Sequence, residues 1–217
     1  MAREQFHTEL NALEQELLRM GALVEEQIAR AVQSLTERDV VLAQEVIDAD
    51  DAVDSLEMEI ERRCLTLLAL QQPMAGDLRT VSTALKIITD LERMADHAAD
   101  IAKVTRQLGQ EPPVKPLVDI PRMATVAAYM VRSALNAYVA RDVDMAMLMI
   151  RMDDEVDHLY SQIFRDLLEL MRARPETVHQ GTHLLFVANY LERIADHATN
   201  LGEWIGYMVT GSRHTSN

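Results

Sequence analysis

The sequence predicts an all-α protein built from two repeated antiparallel three-helix bundles. Apolar residues recur at spacings of three and four along most of the chain, the pattern of amphipathic helices. Only seven Gly and six Pro interrupt its 217 residues, and aromatic residues make up only 4%. A sequence signature in the first half also returns 100 residues later. This composition favours long helices over sheets, and the repeat indicates a duplicated unit.

Three helices are predicted in the first half. They run to about residues 37–39, from about Val40 to Leu70, and from about Asp77 to Leu108. The segment Gln-Gln-Pro-Met-Ala-Gly at 71–76 ends the second helix, because Pro and Gly in succession do not continue a helix. Asp77 is a good N-cap residue, so we expect the third helix to begin there.

Three more helices are predicted in the second half. They run from Pro121 to about Tyr138 or Arg141, from about Val143 to Ala173, and from about Pro175 to Met208. The only obvious linker is at 109–116, where three of eight residues are Pro. We therefore predict a first repeat at 1–109, a linker at 110–117 and a second repeat at 118–217. Short connections make neighbouring helices antiparallel.

The recurring signature is acidic. Leu-Glu-Arg-Met-Ala-Asp-His-Ala at 91–98 returns as Leu-Glu-Arg-Ile-Ala-Asp-His-Ala at 191–198, and the Asp-rich run at 50–54 returns at 153–157. Carboxylates four residues apart stack on one side of a helix. On a helical wheel Glu92 and Glu192 fall within the apolar stripe of their helices. An unpaired carboxylate near a core is costly or takes up a proton, so a counter-ion is expected.

The counter-ion has two candidate sources. Arg93 can reach Asp96, and Arg193 can reach Asp196, so surface salt bridges alone could neutralise one such pair. One Arg per copy faces more carboxylates than it can balance, which favours a bound metal. Oxygen ligands without thiolate suit Mg²⁺, Mn²⁺ or Ca²⁺, with Zn²⁺ and iron as further candidates. His97 and His197 point away from the carboxylates on the wheel, so we expect them at a surface or interface.

The charge balance limits the partners. The chain carries 35 acidic and 21 basic residues, a net charge of −14, which argues against binding to nucleic acid or anionic lipid. No run approaches the length of a spanning helix, and the N-terminus lacks an apolar signal core, so we expect no direct membrane insertion. Cys64 is the only cysteine and is predicted in the core. These features predict a cytoplasmic protein that reaches any membrane by docking.

The runs at 70–79, 91–97 and 191–197 resemble those of the PhoU family of bacterial phosphate-uptake regulators. The resemblance covers the chain from Phe6 to about Tyr207 and implies a pair of three-helix bundles. It implies a negative regulator of phosphate uptake and of the phosphate-starvation response. It further implies two partners, an ABC phosphate transporter ATPase subunit and a sensor histidine kinase, and it is consistent with a homodimer.

The resemblance also implies metal sites in the acidic rows. The ligands that it nominates are Glu92, Asp96, Asp100, Glu192, Asp196 and Asn200, supported by Asp50, Asp54, Asp153 and Asp157. Glu203 is a further possible oxygen donor, whereas its counterpart in the first repeat is Lys103. The first site is therefore expected to bind metal differently, or not at all.

Two alternatives come from other classes of protein. A di-iron enzyme usually needs Glu-x-x-His, but Ala95 and Ala195 stand at the His position, and no phosphate-cradling Gly-rich loop is present. We therefore predict a protein that is not an enzyme. A helical adaptor whose carboxylates form only salt bridges stays open at this point.

Overall fold

Helices form all of the regular secondary structure in the computed structural model, which describes residues 2–109 and 111–212. The segments 110 and 213–217, at the start of the predicted linker and the end of the predicted second repeat, lie outside the described residues. The seven α-helices and one short 3-10 turn are α1 (Ala2–Glu37), α2 (Val40–Gln71), α3 (Gly76–Leu108), α4 (Asp119–Ala140), α5 (Val143–Ile150), α6 (Asp153–Ala173), the 3-10 turn (Pro175–Thr177) and α7 (Val178–Thr210).

The turns between the first two helices of each repeat are built alike. The backbone of Arg38 and of Arg141 adopts positive φ angles of 57° and 54°. The next residue caps the following helix in both cases: Asp39 accepts hydrogen bonds from the backbone N–H groups of Val41 and Leu42, and Asp142 accepts one from that of Met145. The repeated Arg-Asp-Val sequence is therefore a helix stop followed by an N-cap.

Two predicted boundaries were wrong. Asp77 is not the N-cap of α3; it lies in the first turn, and Ala75, with a φ of 47°, precedes the helix. The helix predicted from Val143 to Ala173 is interrupted at 151–152 and forms α5 and α6. There Met152 N–H donates to Met149 O at 2.9 Å, a tighter i to i−3 bond. Three acidic residues in the first turn of α6 favour a helix N-terminus at this point.

The helices pack as two bundles side by side. Helices α1, α2 and α3 pack together, as do α4, α5, α6 and α7, and the two groups meet through α3 against α7 and α1 against α4. The core is aliphatic, with Leu13, Leu91 and Leu191 fully buried. Cys64 is also fully buried, as predicted, and burial raises the pKa of its thiol to about 12. The all-α, two-bundle fold class predicted from the sequence is confirmed.

The segment between α3 and α4 is held against the second bundle. Val114 N–H donates to Gln180 Oε1 at 2.6 Å, and Gln180 Nε2 donates to Pro112 O at 3.1 Å. Arg174 donates to Val114 O at 2.9 Å, and the Lys115 ammonium lies 3.0 Å from the Asp166 carboxylate. The division into two repeats joined by a linker stays a prediction, but the described part of that linker is anchored at several points.

No helix in the described ranges, 2–109 and 111–212, has the length and apolar character needed to cross a membrane.

Candidate functional site

Two acidic rows lie where α2 packs on α3 and where α6 packs on α7. The first row, which we call row 1, consists of Asp50, Asp54, Glu92 and Asp96; the second, row 2, consists of Asp153, Asp157, Glu192 and Asp196. Each row takes two carboxylates from each of two antiparallel helices. The i, i+4 spacing aligns them along the helix–helix groove, next to the apolar stripe that packs into the core.

In row 1, Asp50 is the most perturbed group. Its Oδ1 atom is buried without a hydrogen-bond partner. Burial, together with the nearby charges of Asp96 and Asp54, raises the pKa of Asp50 to about 6. Burial also raises the pKa of Glu92, and the charge of Asp96 adds to the effect. The row therefore holds more negative charge than its surroundings accommodate.

Cationic side chains balance part of row 1. Arg93 Nη1 lies 3.0 Å from Asp96 Oδ2, which confirms the predicted i, i+3 pair, and Arg93 Nε lies 3.3 Å from Glu92 Oε2. Lys103 Nζ lies 2.8 Å from Asp100 Oδ1, and the charge of Lys103 also lowers the pKa of Asp50. Two cationic side chains of the first repeat, Arg93 and Lys103, thus act on the carboxylates of row 1.

Row 2 repeats the crowding of row 1. Asp153 Oδ1 is buried and has no hydrogen-bond partner, like Asp50 Oδ1. Burial, with the charges of Asp157, Asp196 and Glu192, raises the pKa of Asp153 to about 6. Burial raises the pKa of Glu192 and of Asp196 as well, while Arg193 lowers both. No lysine stands at the position equivalent to Lys103, because residue 203 is Glu.

The last predicted ligand of each helix is engaged elsewhere. Asp100 pairs with Lys103. The amide nitrogen of Asn200 donates to Asp90 Oδ1 at 3.5 Å, across the boundary between the two bundles. The structure therefore brings together eight of the ten predicted ligands, four in each row.

The sequence interpretation missed an extension of row 1. Glu57 lies one turn beyond Asp54 on α2, and Glu61 lies one turn further. Burial raises the pKa of Glu57, and the charge of Glu61 adds to it. The signal was present in the sequence, since 54, 57 and 61 follow the same three-to-four spacing as the rest of the row.

The two signature histidines face the boundary between the bundles. His197 Nδ1 lies 2.8 Å from Asp90 Oδ1, and the rings of His97 and His197 are 5.8 Å apart between centroids. His97 stacks on Tyr190 with 5.7 Å between ring centroids. Burial lowers the pKa of His97, and the positive charges of His197 and Arg193 contribute. This placement agrees with the wheel, which pointed both rings away from the rows.

The rows fit a divalent cation in chemistry more than in geometry. Their donors are carboxylate oxygens, the ligands of hard cations, and the buried oxygens of Asp50 and Asp153 lack a partner. Across the described residues, however, no group of three or more His, Cys, Asp or Glu side chains is arranged to hold a metal ion. A cation would therefore have to draw the carboxylates of a row together.

The fold and the rows define a class of protein: a duplicated, acidic, all-helical molecule with paired carboxylate rows in equivalent grooves. The PhoU domain family model matches it twice, at residues 17–105 and 120–205. The chain belongs to the PhoU family.

Similar proteins and a similar solved structure cover nearly the whole chain. A "Phosphate-specific transport system accessory protein PhoU homolog" of Clostridium acetobutylicum is 42% identical over 214 residues, covering 98% of each chain. A relative with the same description in Caulobacter vibrioides is 43% identical over 209 residues, covering 96% of this chain and 91% of its own. The crystal structure of PhoU from Pseudomonas aeruginosa has a TM-score of 0.91 at 35% identity, covering 95% of this chain and 100% of its own.

Proposed function

We propose that this chain is an accessory protein of a phosphate-specific transport system. It would act as a negative regulator of phosphate uptake and of the phosphate-starvation response in the cytoplasm. The observation that carries the proposal is the full-length similarity to PhoU accessory proteins, which includes the doubled acidic signature. The relatives are described as accessory proteins of a transport system. An accessory role supports binding to a transporter, rather than catalysis, as the mode of action.

The proposed partners are the ATPase subunit of an ABC phosphate transporter and a sensor histidine kinase. A homodimer is proposed as the working unit. Regulation by docking is consistent with the acidic, helical surface, because such a surface selects partners by charge. Nucleic acid is not among the proposed partners, since a net charge of −14 repels phosphate backbones.

We propose that divalent metal ions support this interaction by binding in the two rows. Two buried oxygens without a hydrogen-bond partner, one per row, support this role. The raised pKa values of Asp50 and Asp153 have the same physical cause, which is negative charge removed from water. A cation would offset that charge and hold the two helices of each groove together, while the row residues supply oxygen ligands.

A purely electrostatic adaptor is the second candidate, in which the carboxylates form salt bridges only. The Arg93–Asp96 and Lys103–Asp100 pairs favour it in the first repeat, as does the open arrangement of both rows in the described structure. Metal uptake separates the candidates. The protein is stripped with a chelator, reconstituted with Mn²⁺, Mg²⁺, Ca²⁺, Zn²⁺ or Fe²⁺, and analysed for bound metal. Uptake that falls in Glu92→Gln and Glu192→Gln supports the metal site, and no uptake supports the adaptor.

Partner capture tests the regulatory role itself. Tagged protein is recovered from cells grown with abundant phosphate and from cells starved of it, and the co-purifying proteins are identified. We expect the transporter ATPase subunit and the sensor kinase, with capture that changes with phosphate supply. Recovery of neither partner under either condition would refute the regulatory proposal.

A further inference from the structure

The four-helix layer α2-α3-α7-α6 has charged side chains in the first repeat where the second repeat has aromatic ones. The equivalent positions are offset by 103 residues between α2 and α6 and by 100 between α3 and α7. The pairs are Glu57 with Tyr160, Glu61 with Phe164, Lys86 with Phe186, and Asp90 with Tyr190. Four charged residues on one half thus correspond to four aromatic residues on the other. We call the second set the aromatic quartet.

Two members of the aromatic quartet are exposed to water, whereas Tyr160 and Tyr190 are half-buried and pack against the core. Phe164 is 41% exposed and Phe186 is 52% exposed. Leu168, one turn beyond Phe164, is 40% exposed. Large apolar side chains grouped on a surface otherwise rich in charge are typical of a docking site.

The quartet consists of two neighbouring pairs, one on α6 and one on α7. Tyr160 and Phe164 are neighbours on α6 with 6.3 Å between ring centroids, and Phe186 and Tyr190 are neighbours on α7 with 6.5 Å. Because α6 and α7 are antiparallel and Asp157 interacts with Glu192 and Asp196, the next turns of α6 lie level with the turns of α7 that precede Glu192. The aromatic side chains therefore begin where row 2 ends.

We propose that the aromatic quartet and row 2 together dock a helical segment of a partner protein that carries an apolar stripe flanked by Lys and Arg. The apolar stripe would cover Phe164, Leu168 and Phe186, while the cationic flank would face row 2. Charge complementarity selects this occupant. Row 2 contributes four carboxylates, and one bound divalent ion would offset only half of their formal charge, so the acidic flank attracts cations with or without metal.

The same argument weighs against other occupants. A second copy of this chain, docked through the same surface across a two-fold axis, would bring two acidic rows towards each other. An anionic lipid surface would meet like charge. The inference gives the surface chemistry through which the proposed accessory role would operate, and it rests on that role only for the identity of the natural partner.

The test uses a synthetic probe and the full-length protein. The probe is a fluorescein-labelled helical peptide of about 18 residues, five turns, with Leu on one face and Arg along both of its edges. A matched peptide has Glu in place of every Arg. Binding is measured by fluorescence anisotropy in chelator-treated buffer at two salt concentrations.

We expect the Arg peptide to bind and the Glu peptide to bind at least about tenfold more weakly, with affinity falling as salt rises. Phe164→Ser with Phe186→Ser should weaken binding of the Arg peptide by about tenfold or more, because exposed aromatic anchors carry much of such an interface. Leu65→Ser is the matched control, since Leu65 is an exposed apolar residue on α2 at the position equivalent to Leu168. It should leave the affinity within about twofold.

A second variant guards against misfolding. Phe164→Glu with Phe186→Lys installs the residues that the first repeat has at these positions, and circular dichroism should show an unchanged helix content. This variant should bind the Arg peptide as weakly as Phe164→Ser with Phe186→Ser does. Equal losses in Leu65→Ser, or equal binding of the two peptides, would overturn the proposal.

Two further results would also overturn it. They are concentration-dependent self-association that Phe164→Ser with Phe186→Ser abolishes, and binding to neutral phosphatidylcholine vesicles that the Arg peptide fails to displace. If the variant Phe164→Ser with Phe186→Ser captures the transporter subunit as well as the wild-type protein does, the regulatory role stands and this surface has no part in it. Loss of both peptide binding and subunit capture in that variant would support the surface and the role together.

Discussion

The two acidic rows hold carboxylates at equivalent positions but balance them differently. In row 1, Lys103 pairs with Asp100 and also acts on Asp50, and Arg93 lies against Asp96. In row 2 the residue equivalent to Lys103 is Glu203, which adds a carboxylate where the first repeat has an ammonium. Duplication has kept the register of the acids while the counter-charge has diverged. We infer that row 2 depends more strongly than row 1 on a cation from outside the chain.

The largest expected effect tests whether the two repeats unfold together in a single cooperative transition. Leu91→Ala and Leu191→Ala remove equivalent, fully buried side chains, and each should lower the free energy of unfolding by about 2–5 kcal/mol. Because α3 packs against α7, both variants should shift a single transition in urea followed by circular dichroism. Leu65→Ala, at an exposed position, should stay within about 0.5 kcal/mol. Two separate transitions would show that the halves unfold independently.

The next effect separates the rows by metal affinity. Asp153→Asn should weaken Mn²⁺ binding, followed by electron paramagnetic resonance, by about tenfold or more, because it removes a proposed charged ligand from row 2, which has no equivalent of Lys103. Asp50→Asn should have a smaller effect, since the Lys103 ammonium already offsets part of row 1. Equal losses in the two variants would contradict the asymmetry.

Exchange of the divergent residue should reverse that asymmetry. Lys103→Glu places in the first repeat the residue found at 203, and it removes a positive charge that lowers the pKa of Asp50. We expect Mn²⁺ binding in row 1 to strengthen by about tenfold, equivalent to about 1.4 kcal/mol. Isothermal titration calorimetry would measure this as a second site of comparable affinity, and Lys86→Glu, outside the row, is the charge-matched control. An unchanged titration would rule out Lys103 as the cause.

The two rows should contribute equally to the pH dependence of the free energy of unfolding. The pKa of Asp50 and of Asp153 is about 6 in the folded chain, above the usual value of 3.8. The folded state therefore binds these protons more tightly, so metal-free protein should lose stability as pH rises from about 4 through 6. Each group should contribute about 1 kcal/mol, after allowance for solvent screening.

Thermal unfolding at a series of pH values, with chelator present, would measure this loss. Asp50→Asn and Asp153→Asn should each flatten the decline, and saturating Mn²⁺ should remove it because the ion replaces the protons. If the stability of the wild-type protein rose between pH 4 and about pH 6 while that of the Asn variants did not, the predicted direction of the pH dependence would be wrong.

The smallest effect concerns a close approach at Gly202 in the second repeat. A Cβ atom at Gly202 would lie 2.8 Å from Ile150 side-chain atoms and 2.9 Å from Met149 Cε. The first repeat has the buried Ala102 at the equivalent position. Ala102→Gly should cost about 1 kcal/mol through helix propensity, whereas Gly202→Ala should not yield the full corresponding gain, because the side chains of Ile150 and Met149 must move to admit the methyl group. Thermal unfolding would check the pair, and a full gain in Gly202→Ala would show that the two side chains move aside without cost.

The fold could be predicted from the sequence because it depends on periodicity. Apolar spacing located the long helices, and the two signatures indicated the duplication. The interruption at 151–152 escaped because the apolar spacing continues across it, and only the acidic run of 153–155 marks a new helix start. The position of Asp77 inside α3 was not predicted, because Ala75, the residue before the helix, has a positive φ angle that is rare for alanine and cannot be read from the sequence.

The site could be predicted only as far as each helix could be considered alone. A helical wheel grouped Asp50 with Asp54 and Glu92 with Asp96. It could not show that Asn200 donates to Asp90 on a different helix, because that contact depends on tertiary packing. Glu57 was missed although its spacing fits the row, because the equivalent residue of the second repeat is Tyr160 and the repeated signature therefore does not include it.

The Gln180 side chain has a consequence for the covalent chain. Its hydrogen bonds to Val114 and Pro112 hold the connecting segment against the second bundle. The segment would therefore stay in place even if the chain were cut between Val114 and α4. A protease cut just before α4 would therefore leave the fragments joined through α3 with α7 and α1 with α4. Coexpressed as separate halves, the two repeats should reassemble without a tether, which size-exclusion chromatography of the pair would check.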